Sequence, residues 1–241
     1  MPLRNPQSYR GGRPKRSSTK TTYFLTLKDV STALRASEFA RLVGIPLNTH
    51  ATVNFPSGIA EDKASIYIAK TIKNLRQWLR RRGISGAQTT HLWVRERRPD
   101  QASHVHLLFH LPLSARLTNS RFAALIPREA GIVLGEVPDR AGRDSGTPVL
   151  VLRAKSDEQT REWTRYVLKG ISALDANDFG LRPARQGPIA GKRVGVAENI
   201  GASEWTNWTT DYRIGGREFA LQRWRERAEA AKRVQARTGP A

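Results

Sequence analysis

Residues 91–97 predict a β-strand, and residues 47–55 and 104–110 follow the two-residue period of a strand. The last stretch has an apolar side formed by Val105, Leu107 and Phe109 and a second side that holds histidines. Residues 98–102, which include a proline and an aspartate, predict a hairpin connection between the last two strands. Residues 149–152 are apolar without a break and predict a further strand.

Five other stretches predict helices, residues 30–43, 61–82, 120–126, 156–172 and 217–237. The longest of these helices is expected to pack on the sheet through an apolar stripe of Ile66, Ala69, Ile72, Leu75 and Leu79. From residue 47 onward, the predicted order is strand, helix, strand, strand, helix, strand and helix. This is the order of the ferredoxin-like split βαβ plan, so we predict an α+β fold with a mainly antiparallel sheet.

His104 and His106 lie side by side on one face of their predicted strand, and their neighbours depend on how the hairpin pairs. If Arg97 pairs with Ser103, then Glu96 lies opposite His104. Two imidazoles and a carboxylate would then converge, a set that suits Mg²⁺, Mn²⁺ or Zn²⁺ in a catalytic role. A register shifted by one residue would place an arginine opposite His104 and remove the site. The histidines would then be polar residues on a half-exposed strand.

A candidate nucleophile lies on the predicted helix of residues 156–172. Trp163, Tyr166 and Lys169 recur there every three residues, so they occupy one flank of the helix. A nearby ammonium favours the ionised form of a tyrosine and can turn it into a nucleophilic phenolate. Taken alone, the same spacing also fits an ordinary amphipathic helix.

Taken together and in this order, the two stretches resemble the HUH endonuclease family. In that family, a triplet of histidine, hydrophobic residue and histidine on a strand precedes a helix that bears Tyr-x-x-Lys. His104 and His106 match the triplet, and Tyr166 and Lys169 match the helix. The resemblance covers residues 47–171 and is strongest to the single-tyrosine initiators of rolling-circle replication in bacterial plasmids, phages and related elements.

The resemblance implies a role for each matched residue. His104 and His106 would bind a divalent metal, Mg²⁺ or Mn²⁺, with Glu96 as the third ligand by its position on the neighbouring strand. Tyr166 would be the nucleophile and Lys169 its helper. The family cuts single-stranded DNA at an origin, leaving a covalent 5′-phosphotyrosine and a free 3′-hydroxyl. It also implies a sheet with helices on one face and the active site on the other.

The charge of the chain agrees with a nucleic-acid partner. Its 41 Lys and Arg residues outnumber 21 Asp and Glu residues, which gives a net charge of +20 and a pI near 11.3. Such a balance indicates a polyanionic partner, most often nucleic acid and less often an anionic membrane surface. The cations assigned to DNA binding are Arg76, Arg80, Arg81, Arg82, Lys192 and Arg193. The four on the long helix also stabilise the C-terminal end of that helix.

Several cellular properties are expected from what the chain lacks. It has no run of eighteen apolar residues and no hydrophobic leader, so we expect a soluble protein of the bacterial cytoplasm without a membrane partner. It has no cysteine, which excludes disulfides and thiolate metal sites. Residues 187–193, GPIAGKR, are similar to a phosphate loop but have one residue too few between the glycines and end in Arg193. We therefore expect no ATPase or helicase activity, so a host helicase and polymerase would be further partners.

Four segments describe the expected organisation: a disordered basic arm (1–20), an endonuclease domain (21–175), a glycine-rich segment that wraps the sheet or contacts DNA (176–216), and a basic C-terminal helix and tail (217–241). Two alternatives stay open. Relaxases and single-strand transposases use the same chemistry for other purposes. A non-catalytic nucleic-acid-binding protein would need only the charge and the aromatic residues, and would be indifferent to the loss of Tyr166.

Overall fold

The computed structural model describes residues 21–56, 59–86, 88–97, 99, 103–132 and 148–237, with the backbone alone described from residue 231 onward. The predicted basic arm of residues 1–20 lies outside this part of the chain. So does the predicted hairpin loop, apart from Pro99.

The strands of the described residues are β1 (Thr21–Thr22), β2 (Thr49–Asn54), β3 (His91–Glu96), β4 (His104–Phe109), β5 (Val149–Arg153), β6 (Ile189–Ala190) and β7 (Val194–Val196). The α-helices are α1 (Leu27–Leu42), α2 (Glu61–Arg80), α3 (Asn119–Ala123), α4 (Asp157–Val167), α5 (Ala173–Ala176) and α6 (Ala202–Arg237). Short 3₁₀ turns cover Arg128–Ala130, Asn177–Phe179 and Glu198–Ile200.

Five strands form one antiparallel sheet in the order β5-β2-β4-β3-β7. The first four of these have the neighbours that a split βαβ plan requires, with α2 connecting β2 to β3 and a hairpin connecting β3 to β4. The predicted α+β class and antiparallel sheet are therefore confirmed. The fifth strand, β7, lies in the glycine-rich segment of residues 176–216, where the sequence predicted no strand.

One face of the sheet packs on α2 and α3, as predicted. The side chains that α2 buries are Ala64, Ile68, Thr71, Ile72, Leu75, Trp78 and Leu79. The predicted stripe is therefore only partly correct, because Ile66 is 52% exposed and Ala69 is also exposed. Ile66 precedes Ile72 by six residues, which at roughly 100° per residue puts it well off the buried face.

Helices also lie over the second face of the sheet, which differs from the expectation that they would cover one face alone. Leu92, Val94 and Leu108 are fully buried there in a cluster that includes residues of α1, α4 and α6. Leu108 is on the same side of β4 as the histidines, so this face carries both an apolar patch and polar residues. The apolar patch requires cover, and the helices supply it.

The C-terminal segment is more helical than predicted. Helix α6 begins at Ala202, within the glycine-rich segment of residues 176–216, and a non-helical Gly216 with a φ of 73° interrupts it. Trp205 and Trp208 pack edge-on against Phe39 of α1 at ring distances of 5.7 and 5.6 Å. The start of α6 is thus part of the fold. Among the described helices, none combines the length and apolar character needed to span a membrane.

Candidate active site

Strands β3 and β4 bring together the three predicted metal ligands. Their register pairs Glu96 with His104 and Val94 with His106, which is the register that forms the ligand group among those that the sequence left open. Glu96 Oε2 lies 3.2 Å from His104 Nε2 and 3.5 Å from His106 Nε2. One ligand atom from each of the three residues lies within 4.8 Å of the other two. This group could therefore hold a metal ion.

The hydrogen bonding of these side chains fits a bound cation. Glu96 is 1% exposed and His106 3% exposed, yet neither Glu96 Oε1 nor His106 Nε2 has a hydrogen-bond partner. A buried polar atom without a partner costs on the order of 1–3 kcal/mol. A divalent ion would use both atoms as ligands and remove that cost. Imidazole and carboxylate ligands are compatible with several divalent metals, so the ligand set alone does not select one.

The protonation of the group also suits a metal. Burial raises the pKa of Glu96, but its contacts with His104 and His106 and the charge of Lys169 outweigh burial and leave the pKa below its ordinary value. Burial lowers the pKa of His106, an effect that Glu96 only partly offsets. An ionised carboxylate beside a neutral imidazole is the state in which both side chains can bind a cation.

His50 on β2 also joins this group. Its Nε2 lies 3.0 Å from His106 Nδ1, and Thr52 Oγ1 lies 3.2 Å from the same nitrogen. Burial, followed by the charges of His106 and Lys169, lowers the pKa of His50 to about 3. The signal for this contact was the parity of His50 on a strand neighbouring β4, but the sequence did not identify it as a site residue.

Helix α4 carries Tyr166 to the metal-ligand group. The helix begins after Ser156, whose side chain accepts a hydrogen bond from the Gln159 backbone, as the predicted start required. The Tyr166 ring lies 5.5 Å from the His106 ring, and its side chain is 49% exposed. The candidate nucleophile is therefore accessible from solvent while it borders the buried ligands.

Lys169 follows the last turn of α4 and connects the two parts of the site. Its Nζ lies 3.1 Å from Glu96 Oε2 and 3.6 Å from the centre of the Tyr166 ring. The ammonium thus contacts both the carboxylate of the ligand group and the face of the tyrosine. Trp163, one turn before Tyr166, lies against His50 at a ring distance of 5.5 Å.

The predicted DNA-binding cations have different surroundings. Arg80, Arg81, Arg82 and Lys192 are exposed, whereas Arg76 is partly buried. The guanidinium of Arg82 lies 3.9 Å above the Trp78 ring.

Arg193 does not have the exposure that the prediction required. It is 4% exposed and donates hydrogen bonds to the Thr22 carbonyl oxygen and to Gln186 Oε1. Its assignment to DNA binding is therefore wrong, because Arg193 connects buried backbone and side-chain groups next to β7. Trp208, which lies in the segment predicted to wrap the sheet or contact DNA, is 6% exposed and belongs to the core.

The fold and the site together define an α+β protein with a candidate metal centre beside an accessible tyrosine and a lysine. Comparison of the chain with models of protein families, with curated proteins and with solved structures finds no match.

Proposed function

We propose that this protein nicks and joins single-stranded DNA through a covalent 5′-phosphotyrosine, in the manner of the initiators of rolling-circle replication that its motifs resemble. The observation that carries the proposal is the position of Tyr166 and Lys169 against Glu96, His104 and His106. Neither motif is specific by itself. Their convergence in space supports a reaction that needs a metal and a nucleophile together.

Glu96, His104 and His106 would hold the metal, which we assign as Mg²⁺ or Mn²⁺ on the basis of the family resemblance. Such an ion polarises a phosphoryl oxygen and stabilises the charge that develops during displacement. The burial of Glu96 and His106 keeps water away from the ligand atoms on the protein side. The greater exposure of Tyr166 leaves room for a DNA strand at the other side.

The reaction assigned to Tyr166 is an in-line displacement at the scissile phosphate. The phenol oxygen loses its proton and forms a bond to phosphorus, while the bond from phosphorus to the 3′ oxygen breaks and that oxygen gains a proton. The ammonium of Lys169, which lies over the Tyr166 ring, would offset negative charge near the phosphate. Because the new phosphotyrosine retains the bond energy, attack by a 3′-hydroxyl reverses the reaction and joins the strand.

The single tyrosine has a consequence for how the reaction ends. Glu162 and Gly170 occupy the positions four residues before and after Tyr166, where a second nucleophile would lie about one turn away. Release of the DNA would therefore require a second subunit or a different attacking group.

Strand opening would come from supercoiling or from a host helicase in the bacterial cytoplasm, with a host polymerase extending the free 3′-hydroxyl.

The test is a denaturing gel of the purified protein with a pool of random, labelled single-stranded oligonucleotides, in Mn²⁺ or in EDTA. We expect a labelled band at the mass of the protein plus DNA in Mn²⁺ only. Tyr166→Phe removes the attacking oxygen, so the band should fall by a factor of at least about 10³, as expected when a nucleophile is lost. Tyr212→Phe is the matched control, because Tyr212 is 54% exposed and lies on α6.

Three outcomes would change this assignment. If the covalent band survives Tyr166→Phe and is lost in Tyr212→Phe, the nucleophile is Tyr212 and the assignment of Tyr166 is wrong. Tight binding without cleavage or linkage in any divalent metal would favour the non-catalytic nucleic-acid-binding protein. A covalent band whose linked sequences match a transfer or transposition end would favour a relaxase or a transposase over an initiator.

A further inference from the structure

Two aromatic side chains lie on the surface directly before α1. Tyr23 is 57% exposed and Phe24 47% exposed, and Leu27 beside them is 48% exposed. Isolated exposed apolar residues are common in proteins, whereas three large ones within five positions form a patch. Since Leu25 between them is buried, the segment is anchored while its aromatic neighbours stay outside.

The patch lies at the end of the helix that carries the candidate nucleophile. The Leu25 amide donates a 2.9 Å hydrogen bond to the Gly170 carbonyl oxygen, and Leu25 forms a β-bridge with Ile171. Gly170 follows Lys169 directly in the chain. The hydrogen bond therefore holds the segment with the exposed aromatic residues against the residue that follows Lys169. Lys169 is the lysine that contacts both Glu96 and the Tyr166 ring.

A second segment flanks the same point. The Ala184 amide donates a 2.7 Å hydrogen bond to the Lys169 carbonyl oxygen, so residues 181–187 also border the end of α4. Arg193 ties the two segments together, since its guanidinium donates to the Thr22 carbonyl oxygen and to Gln186 Oε1. The buried Arg193, rejected above as a DNA contact, thus has a structural role beneath this surface.

The charge of the two segments favours a polyanion. Residues 22–28 and 181–187 contain three cations, Lys28, Arg182 and Arg185, and no carboxylate. All three cations are exposed. Exposed aromatic rings among exposed cations, without acids, are the combination with which proteins bind unpaired nucleic acid, because rings stack on bases and cations follow the phosphates.

We propose that Tyr23 and Phe24 form a stacking platform for unpaired bases of the DNA strand that Tyr166 cuts. This platform rests on the proposed function. It adds to that function the position of the strand beside the nucleophile and the part of the strand that is bound, which is its bases. Stacking requires a base that is not paired within a duplex. The platform therefore selects single-stranded over double-stranded DNA and tolerates any base sequence.

The test measures binding without cleavage, so it separates the platform from the reaction. Fluorescence anisotropy in EDTA would compare a labelled oligothymidylate with an oligomer of equal length that carries abasic sites. We expect Tyr23→Ala/Phe24→Ala to lose about tenfold or more in affinity for the oligothymidylate, the effect of removing a base-stacking ring. Affinity for the abasic oligomer, which offers phosphates alone, should stay at the wild-type value. Tyr212→Ala is the control for an exposed tyrosine elsewhere.

A second variant guards against misfolding. Tyr23→Phe/Phe24→Tyr keeps both rings, so it should bind both oligomers as the wild type does. The proposal is overturned if the alanine variant binds the oligothymidylate normally, or if it loses affinity for both oligomers equally. It is also overturned if the alanine substitutions instead convert a self-associated protein into monomers by light scattering, since the patch would then join copies of the chain. A wild type that prefers bases but does not cut would retain the platform and refute the nicking activity.

Discussion

At the scale of single residues, one oxygen atom organises the site. Glu96 Oε2 lies within 3.2 Å of His104 Nε2 and within 3.1 Å of Lys169 Nζ, with His106 Nε2 at 3.5 Å. A carboxylate with so many nitrogen neighbours stays ionised despite its burial, which agrees with its lowered pKa. The same oxygen therefore links the ligand group to the lysine that contacts the candidate nucleophile.

The contact between His50 and His106 leads to a prediction about metal affinity. For His106 to bind a metal through Nε2, its proton must sit on Nδ1, where neutral His50 or Thr52 can accept it. Removing such a partner of a metal-binding histidine typically weakens binding about 10–100-fold. We therefore expect His50→Ala to raise the dissociation constant for Mn²⁺ by that factor, measured by electron paramagnetic resonance.

Two further variants test whether the hydrogen bond is the cause. His50→Gln keeps an acceptor and should recover part of the affinity, whereas Thr52→Val retains His50 and should have the smaller effect. An unchanged Mn²⁺ affinity in folded His50→Ala would mean that this contact is packing alone.

At the scale of elements, the hairpin and α4 contribute to the site in different ways. Strands β3 and β4 hold their three ligands by a regular antiparallel register. Helix α4 ends at Val167, so Tyr166 lies in its last turn and Lys169 beyond it. Two backbone hydrogen bonds hold the lysine there. The Lys169 carbonyl oxygen accepts one from the Ala184 amide, and the Gly170 carbonyl oxygen accepts the other from the Leu25 amide. The position of Lys169 therefore depends on segments distant in the sequence.

Strand β7 depends on a glycine at its centre. A Cβ added to Gly195 would lie 2.2 Å from Trp93 Nε1 on β3, too close for the ring to stay in place. We expect Gly195→Ala to lower the free energy of unfolding by about 1–3 kcal/mol, the usual cost of overpacking. Urea denaturation of the purified protein would measure it.

Gly170→Ala serves as the comparison, because its added Cβ would approach Gln186 and Leu25 only to 3.4–3.5 Å. It should therefore cost less than Gly195→Ala. Equal stability of wild type and Gly195→Ala would show that β7 adjusts without loss.

At the scale of the whole molecule, the histidines connect pH to stability. Burial, and then the charges of Arg76 and Lys192, lowers the pKa of His91 from 6.5 to about 3. His50, His106 and His110 also have lowered pKa values, in each case chiefly because they are buried. The folded chain therefore keeps these histidines neutral at a pH where the unfolded chain protonates them.

The sign of the pH effect follows from this difference. Below about pH 6.5 the unfolded state binds protons that the folded state does not, so the free energy of unfolding falls as the pH is lowered from 6.5 towards 3. Each such histidine contributes up to about 1.4 kcal/mol per pH unit. We expect His91→Gln, which lies outside the metal-ligand group, to reduce the slope between pH 6 and 4 by up to that amount. Urea denaturation in EDTA at several pH values measures the slope, and identical slopes for wild type and variant would contradict the prediction.

The features that the sequence determined by itself are local ones. The parity of His104 and His106, the hairpin between β3 and β4, and the start of α4 all follow from periodicity, loop length and capping, which act over a few residues. The structure then selected the register that pairs Glu96 with His104. The α+β class followed from the order of such elements. The convergence of the predicted ligands with Tyr166 and Lys169 agrees with the family resemblance, whereas the activity itself stays a proposal.

Only the tertiary structure decided which distant segments meet. It paired β7 with β3, buried Arg193, and set His50 beside His106 on neighbouring strands. It also exposed Ile66 and Ala69 of α2, which the sequence predicted to be buried. In addition, it placed helices over the second face of the sheet. These outcomes depend on which apolar surfaces cover one another across long sequence separations, and that choice is made by packing of the whole chain, which no local pattern encodes.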